Sequence, residues 1–316
     1  MTKNYRNLTT EEIHSLEAQG CTAQDWNQLR VAPGFSPQDI RNGEFYGTVC
    51  LGSTEGSIEV SPGFQKHCGL RNAVLKDVTI GDNCLIENVR NYIHNYHIGQ
   101  GCLISNVCAI ETTPGASYGE GTVISVLNEV GDGNVMIFDG LNSQLATLMV
   151  KYEQDEAFTQ SIRRIIRQDI EQKRLHVTCG TIGDHVHIVN TGTVVNCHVS
   201  DECRIIGASR LHECTLRSIP GANVTIGTGV ILENSVIYDG SEILNNAKLE
   251  NCFVGEACKI TDGFTAENSL FFANCYMSNG EACAAFCGPF SASHHKSSLL
   301  IGGMYSFYND GSCTNF

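Results

Sequence analysis

The feature that most constrains this chain is that it repeats itself. The stretch KLENCFVGEA, Lys248 to Ala257, is preceded seventeen residues earlier by ILENSVIYDG and followed seventeen later by TAENSLFFAN. Alignment of the three puts Asn234, Asn251 and Asn268 in one column, with Glu233, Glu250 and Glu267 before them and Ile226, Ile243 and Ile260 in a second. A step of 17 to 18 recurs elsewhere: Ile80-Gly81-Asp82-Asn83-Cys84 returns as Ile98-Gly99-Gln100-Gly101-Cys102, with Ile86 matched to Ile104, Asn88 to Asn106, and Asn196 to Glu213. Periods of this length predict a solenoid, in which each repeat buries its apolar face only by stacking on its neighbours.

A shorter period lies inside the long one. IGDNCL, IGQGCL, IGDHVH and VGEACK place an aliphatic residue every six positions, with Gly after it and a small or apolar residue four positions on. Three such hexads make one coil of short strands, with Gly, Asp and Asn at the corners. The pattern resembles the hexapeptide-repeat proteins, and the resemblance implies an all-β solenoid, a left-handed parallel β-helix; the handedness comes from the resemblance alone, since parallel crossovers are ordinarily right-handed.

Two stretches depart from the hexads. Thr9-x-x-Glu12 is a capping box ahead of Ile13 and Leu16, and Thr22 precedes Trp26 and Leu29, so residues 1–42 are expected to form a cap of two short helices. From 127 to 176 Leu141, Leu145, Leu148, Phe158, Ile162, Ile165 and Ile170 recur at helical spacing, which predicts an inserted helical hairpin between a first β-helix block at 43–126 and a second at 177–278. Residues 279–316 form a terminal coil and a polar, His-containing segment.

Composition narrows the function classes. A net charge of −14 disfavours nucleic acid and anionic membrane as partners, since both need clustered Lys and Arg. No apolar run approaches the roughly 18 residues of a membrane span. The sixteen cysteines include no CxxC pair, and the N-terminus lacks a signal-peptide pattern, so reduced thiols in a cytoplasmic protein are expected. Cys84, Cys102, Cys203 and Cys258 fall on the small interior position of their hexads, where a thiol packs as an apolar group.

There is no P-loop, GxSxG or HExxH sequence to carry an enzymatic assignment. His94 and His97 are three apart and His185 and His187 two apart, neither spacing matching the metal-binding histidines of the γ-carbonic-anhydrase-like branch, so no metal site is expected. Acyltransferases of this fold use one His as general base beside a coenzyme A thioester, a role suited to an imidazole because its pKa lies near the working pH. The densest candidate region is GEACAAFCGPFSASHHKSSLLIGGMYSFYNDGSCTNF. Here His294 or His295 is the candidate base, Glu281 or Asn309 the group orienting it, Lys296 the cation for an anionic substrate, and Ser293, Ser297 and Tyr308 further binding groups.

LTTEEIHSLEAQGCTAQDW, AENSLFFANCYMSNGEACAAF and GPFSASHHKSSLLIGGMYSFYNDGSCTN also resemble a bacterial family of uncharacterised hexapeptide-repeat proteins, loosely labelled transferases, whose members run well beyond a point like Phe316. That resemblance implies an N-terminal portion of such a protein. Three functions compete: acyl transfer from a coenzyme A thioester to a sugar-related or amine acceptor, a non-catalytic binding or assembly module, and the metal-dependent hydratase. A homo-oligomer is expected, a trimer by resemblance, or a dimer if the cap or insert imposes one.

Overall fold

The computed structural model describes residues 4–175, 178–296 and 298–309. The described residues are mostly β, with three α-helices among them, and nearly all their strands belong to one large, predominantly parallel sheet. None of its described helices is long and apolar enough to cross a membrane. The residues divide into two compact units, Met1–Pro114 with Cys179–Val195 and Val199–Ile206, and Gly115–Thr178 with Asn196–His198 and Gly207–Phe316.

In the first unit the sequence period appears as strand register. Ile40, Leu70, Ile86, Ile104, Ile188 and Ile205 stand in one column of parallel partners, and Phe45, Leu75, Ile93, Ile110 and Val194 in a second. Leu51, Ile80, Ile98 and Ile182 make a third. The column steps from Ile104 to Ile188, 84 residues on, so the stack passes over the intervening insertion without losing its register. Between columns the chain turns at Asn residues with positive φ, such as Asn72 at 54°, Asn88 at 55° and Asn106 at 54°. Asn tolerates this left-handed conformation better than most residues with a Cβ. Its amide then bonds to the Asn at the corresponding turn beside the neighbouring strand: Asn42 to Asn72 and Asn72 to Asn88 at 2.9 Å, and Asn106 to Asn190 at 2.7 Å.

The N-terminal segment is only partly as its sequence suggests. Helix α1 (Thr10–Ala18) forms with its capping box intact, Thr9 Oγ1 accepting from the Glu12 amide and Glu12 from that of Thr9. The second expected helix is absent: Asp25 caps a single 3-10 turn at Trp26–Gln28, between strands Thr22–Ala23 and Leu29–Val31. Leu29 and Val31 are buried while Arg30 is exposed, and this period of two suits the pairing with Val49–Leu51 better than a helix would.

The second unit has the same construction. Leu211, Leu232, Leu249, Ala266, Ala282 and Leu300 make one column, Ile226, Ile243, Ile260, Met277 and Ser293 another, and Val236, Phe253, Leu270, Phe286 and Met304 a third. The third faces an insertion built of an antiparallel hairpin (Val123–Ser125 with Asn134–Met136) and helices α2 (Ser143–Lys151) and α3 (Glu156–Arg174). Ile137, Phe138, Leu141, Ala146, Met149, Ile166 and Ile170 cover Val236, Phe253, Leu270 and Phe286. Leu148 and Ile165, which the helical spacing placed on the apolar stripe, are 43% and 56% exposed. Asn142 caps α2 one residue ahead of Ser143, and that phase turns Ala146 and Met149 inward instead.

The insertion is pinned where the Asn ladder changes residue. Glu213 takes the left-handed corner, with φ 53°, and accepts from Asn196 Nδ2 at 2.8 Å as an asparagine would. Its longer side chain also accepts from the Ser117 amide at 2.6 Å, Ser117 Oγ at 2.8 Å and the Tyr118 amide at 2.8 Å. Gly119 follows with φ +79°, and a Cβ there would lie 2.8 Å from the Glu213 carbonyl oxygen.

The four hexad cysteines, Cys84, Cys102, Cys203 and Cys258, are between 0% and 4% exposed, and no disulfide forms among the described cysteines. Burial pushes the Cys258 thiol well up, and that of Cys252 to about 12.

Candidate binding face

Alternate residues of the Leu211–Leu232–Leu249–Ala266–Ala282 column point outward, and the parallel register sorts them into two rows. Arg210, Ile231, Lys248, Thr265 and Glu281 form one; His212, Glu233, Glu250, Glu267 and Cys283 form the other. Adjacent parallel strands lie about 4.8 Å apart, so Glu233, Glu250 and Glu267 project from consecutive rungs as a row of carboxylates. Like charges at that spacing repel. Part of the repulsion is offset by Arg210, which pairs with Glu233, and by Lys248, which stands on the same strand as Glu250.

Together these side chains border an open groove of about 410 Å³, lined by Arg210, Glu233, Lys248, Glu250, Glu267 and Glu281 with Thr265 and Cys283. Burial, then the carboxylates of Glu129, Glu267 and Glu281, push the Cys283 thiol up to about 11, so at neutral pH it is a neutral hydrogen-bonding group rather than a nucleophile. Among the described residues Glu250, Glu267 and Glu281 form no ion pair. The face can therefore hold an ammonium or guanidinium group, or donate and accept hydrogen bonds with a polyhydroxyl ligand.

Of the residues singled out from the sequence, Glu281 lies in this groove. Of the others, Ser293 and Asn309 belong to another column. Ala292–Ser293 pairs with Tyr276–Met277, and Ala292 in turn bridges to Asn309, its amide donating to the Tyr308 carbonyl at 2.7 Å. His294 and His295 lie side by side, ring centroids 4.4 Å apart, with the Tyr276 ring 6.0 Å from His294. Ser293 is fully buried, Tyr308 is 7% exposed with its ring 5.5 Å from that of Tyr305, and Lys296 is exposed. Ser297 lies outside the described residues. The structure thus brings the two imidazoles to Tyr276 and places Glu281 with the carboxylate row.

Arg210, Glu233, Lys248, Glu250 and Glu267 were not singled out as site residues. Their signal was present, because Glu233, Glu250 and Glu267 share the column that reveals the repeat. A charged residue at each turn of a repeat reads first as a solvated face, and only the register shows that a groove runs along it. Among the described residues no group of three or more His, Cys, Asp or Glu is arranged to hold a metal ion.

The chain is similar, at 27% identity over 311 residues, to an uncharacterized protein of Treponema pallidum (strain Nichols). The match covers 95% of this chain and 42% of that protein, so the chain spans less than half the length of its curated relative. A family model described as Domain of unknown function (DUF4954) matches residues 5–316, nearly the whole sequence, and the chain belongs to that family.

Proposed function

We propose that this chain is a hexapeptide-repeat protein, coiled as a left-handed parallel β-helix solenoid, and that it serves as a binding or assembly module whose carboxylate groove receives a cationic group. Three columns of strands stepping by about seventeen residues support the coil. The observation that carries the function is the groove itself: carboxylates repeated rung by rung, with none of the candidate imidazoles on its walls. A cation bound there would gain charge-assisted hydrogen bonds from Glu250, Glu267 and Glu281, weakened by salt because the groove is open.

A second reading, acyl transfer from a coenzyme A thioester to an amine-bearing or sugar-related acceptor, is favoured by one feature: Glu281 borders a space of sugar-like size whose carboxylates suit an amine acceptor. In that reading His294 or His295 acts as base only if substrate spans two columns.

Calorimetric titration with spermidine, and in parallel with acetyl-CoA and glucosamine, tests both. The binding reading expects spermidine affinity that falls with salt and is lost in Glu250→Gln/Glu267→Gln. Acetylated glucosamine formed by the native chain and abolished by His294→Ala or His295→Ala would replace it with the transferase. A chain that binds none of these probes refutes both readings.

A further inference from the structure

We propose that the partner group received by the carboxylate groove is the exposed face of helix α3 of a second copy of this chain. The inference rests on the binding reading above and names its occupant.

α3 carries Arg164, Arg167, Gln168 and Glu171 on one side, all exposed, at steps of three and four residues. Its opposite side holds Ile166 and Ile170, which are buried in the insertion's core. The outward face is thus a finished helical surface with nothing to cover it. Most of the other cations of the insertion are engaged: Lys173 pairs with Asp169 at 2.7 Å, Arg174 donates to the Ser117 carbonyl, and Arg163 lies close enough to Glu153 to lower its pKa. Arg164 and Arg167 form no ion pair among the described residues. On a chain with a net charge of −14, they are a local excess of positive charge presented to solvent.

Complementarity extends to spacing. Residues three or four apart on a helix have Cβ atoms about 5–6 Å apart, and the rungs of the groove are about 4.8 Å apart. A helix laid along the rows therefore sets Arg164 against Glu281 and Glu267, and Arg167 against Glu267 and Glu250. Glu171, one turn further on, then reaches the rung where Lys248 stands. The groove is most negative at the rungs of Glu281 and Glu267 and is neutralised where Lys248 stands beside Glu250, so the arginines and Glu171 match it in one direction of the helix better than in the other. Guanidinium groups suit this because their forked donors meet carboxylates two at a time.

The helix face and the groove are different surfaces, so the contact is head-to-tail. Each copy offers one helix and one groove, and substitutions on either should act alike.

Sedimentation velocity of the chain at about 50 mM and about 500 mM salt reads this directly, since screening between those strengths separates an electrostatic contact from an apolar one. The expected result is self-association at low salt that is lost at high salt and in both Arg164→Glu/Arg167→Glu and Glu250→Arg/Glu267→Arg. Mixing the two variants should restore association, since one still offers a native groove, the other a native helix, and the two reversed surfaces are again opposite in charge. Circular dichroism checks that each is folded, and the milder Glu250→Gln/Glu267→Gln should weaken association at least tenfold. A native chain that stays monomeric at low salt overturns the proposal, as does self-association that neither variant reduces. Spermidine separates this from the reading on which it rests: a monomer that still binds spermidine in the groove refutes only the helix, whereas one that binds neither refutes both.

Discussion

Replacing Glu213 by Ala should loosen the 117–118 strap of the insertion while leaving its apolar core and the strands themselves in place. The carboxylate accepts three hydrogen bonds from the 117–118 strap and one from Asn196. Hydrogen bonds to a charged acceptor contribute about 1.5–3 kcal/mol each, but those sharing one group are not additive. Tyr118 is buried, so its amide would lose its acceptor without gaining water. Thr215 Oγ1 still donates to the Tyr118 carbonyl at 2.8 Å and would hold part of the strap in place. The net loss worked from these contacts is about 2–4 kcal/mol. Glu213→Gln keeps an acceptor oxygen for the strap and should cost about 1 kcal/mol. Amide exchange is the assay: if the strap opens locally, a loss of that size speeds exchange at Ser117 and Tyr118 by about 30- to 1000-fold, with strand amides such as Leu232 unaffected. Exchange at Tyr118 within threefold of the native rate in Glu213→Ala would refute the reasoning. So would equal effects of Ala and Gln, since charge and geometry would then not be what holds the strap.

Phe253 is 1% exposed between the rings of Tyr238 and Phe272, at 4.9 and 5.7 Å, and Phe253→Ala should cost about 3–5 kcal/mol in urea unfolding; a loss under 1 kcal/mol would show that the insertion does not seal this column. Asn251 has φ 52° and donates to Asn268 at 3.1 Å, so Asn251→Gly should cost less than Asn251→Ala, the difference being about 1 kcal/mol of left-handed strain; the reverse order in thermal unfolding would remove the backbone from the explanation. Burial raises the Glu120 carboxyl, against the opposing pull of Lys173 and Arg174. A raised folded value means the folded chain holds the proton more tightly, so this group's contribution is complete below the ordinary carboxylate range and is lost as pH rises through the folded value. Glu120→Gln should therefore gain stability relative to the native chain as pH rises above the ordinary carboxylate range, and a gap independent of pH would count against burial as the cause.

The sequence carried the period, and with it a large part of the architecture. Ile80 with Ile98, Ile86 with Ile104 and Ile226 with Ile243 were paired by spacing alone and are register partners in the sheet. The Asn column was legible because left-handed corners favour Asn, and the thiols because a small interior position recurs. Local spacing did less well near element ends. Leu29 and Val31 could serve either period, and the choice was made by strand Val49–Leu51 beside them. The phase of α2 was set by its cap at Asn142, so Leu148 turned outward although its spacing from Leu141 and Leu145 fits a helical stripe.

The candidate site was legible only in part, for a related reason. His294, His295 and Lys296 drew attention because such a run is uncommon in sequence, but nearness along the chain does not decide what shares a face when successive short strands fall in different columns. Glu281, thirteen residues before His294, borders a groove made by residues up to 71 positions away, as Arg210 is. By itself the sequence determined the repeat, the parallel pairing that follows from it, and the residues that line the interior, because each is a consequence of a regular step along the chain. Tertiary structure alone decided which outward residues become neighbours, where the insertion is pinned, and that three glutamates of an apparently ordinary solvated column border a single groove, because those depend on the register between strands and on what lies across each face.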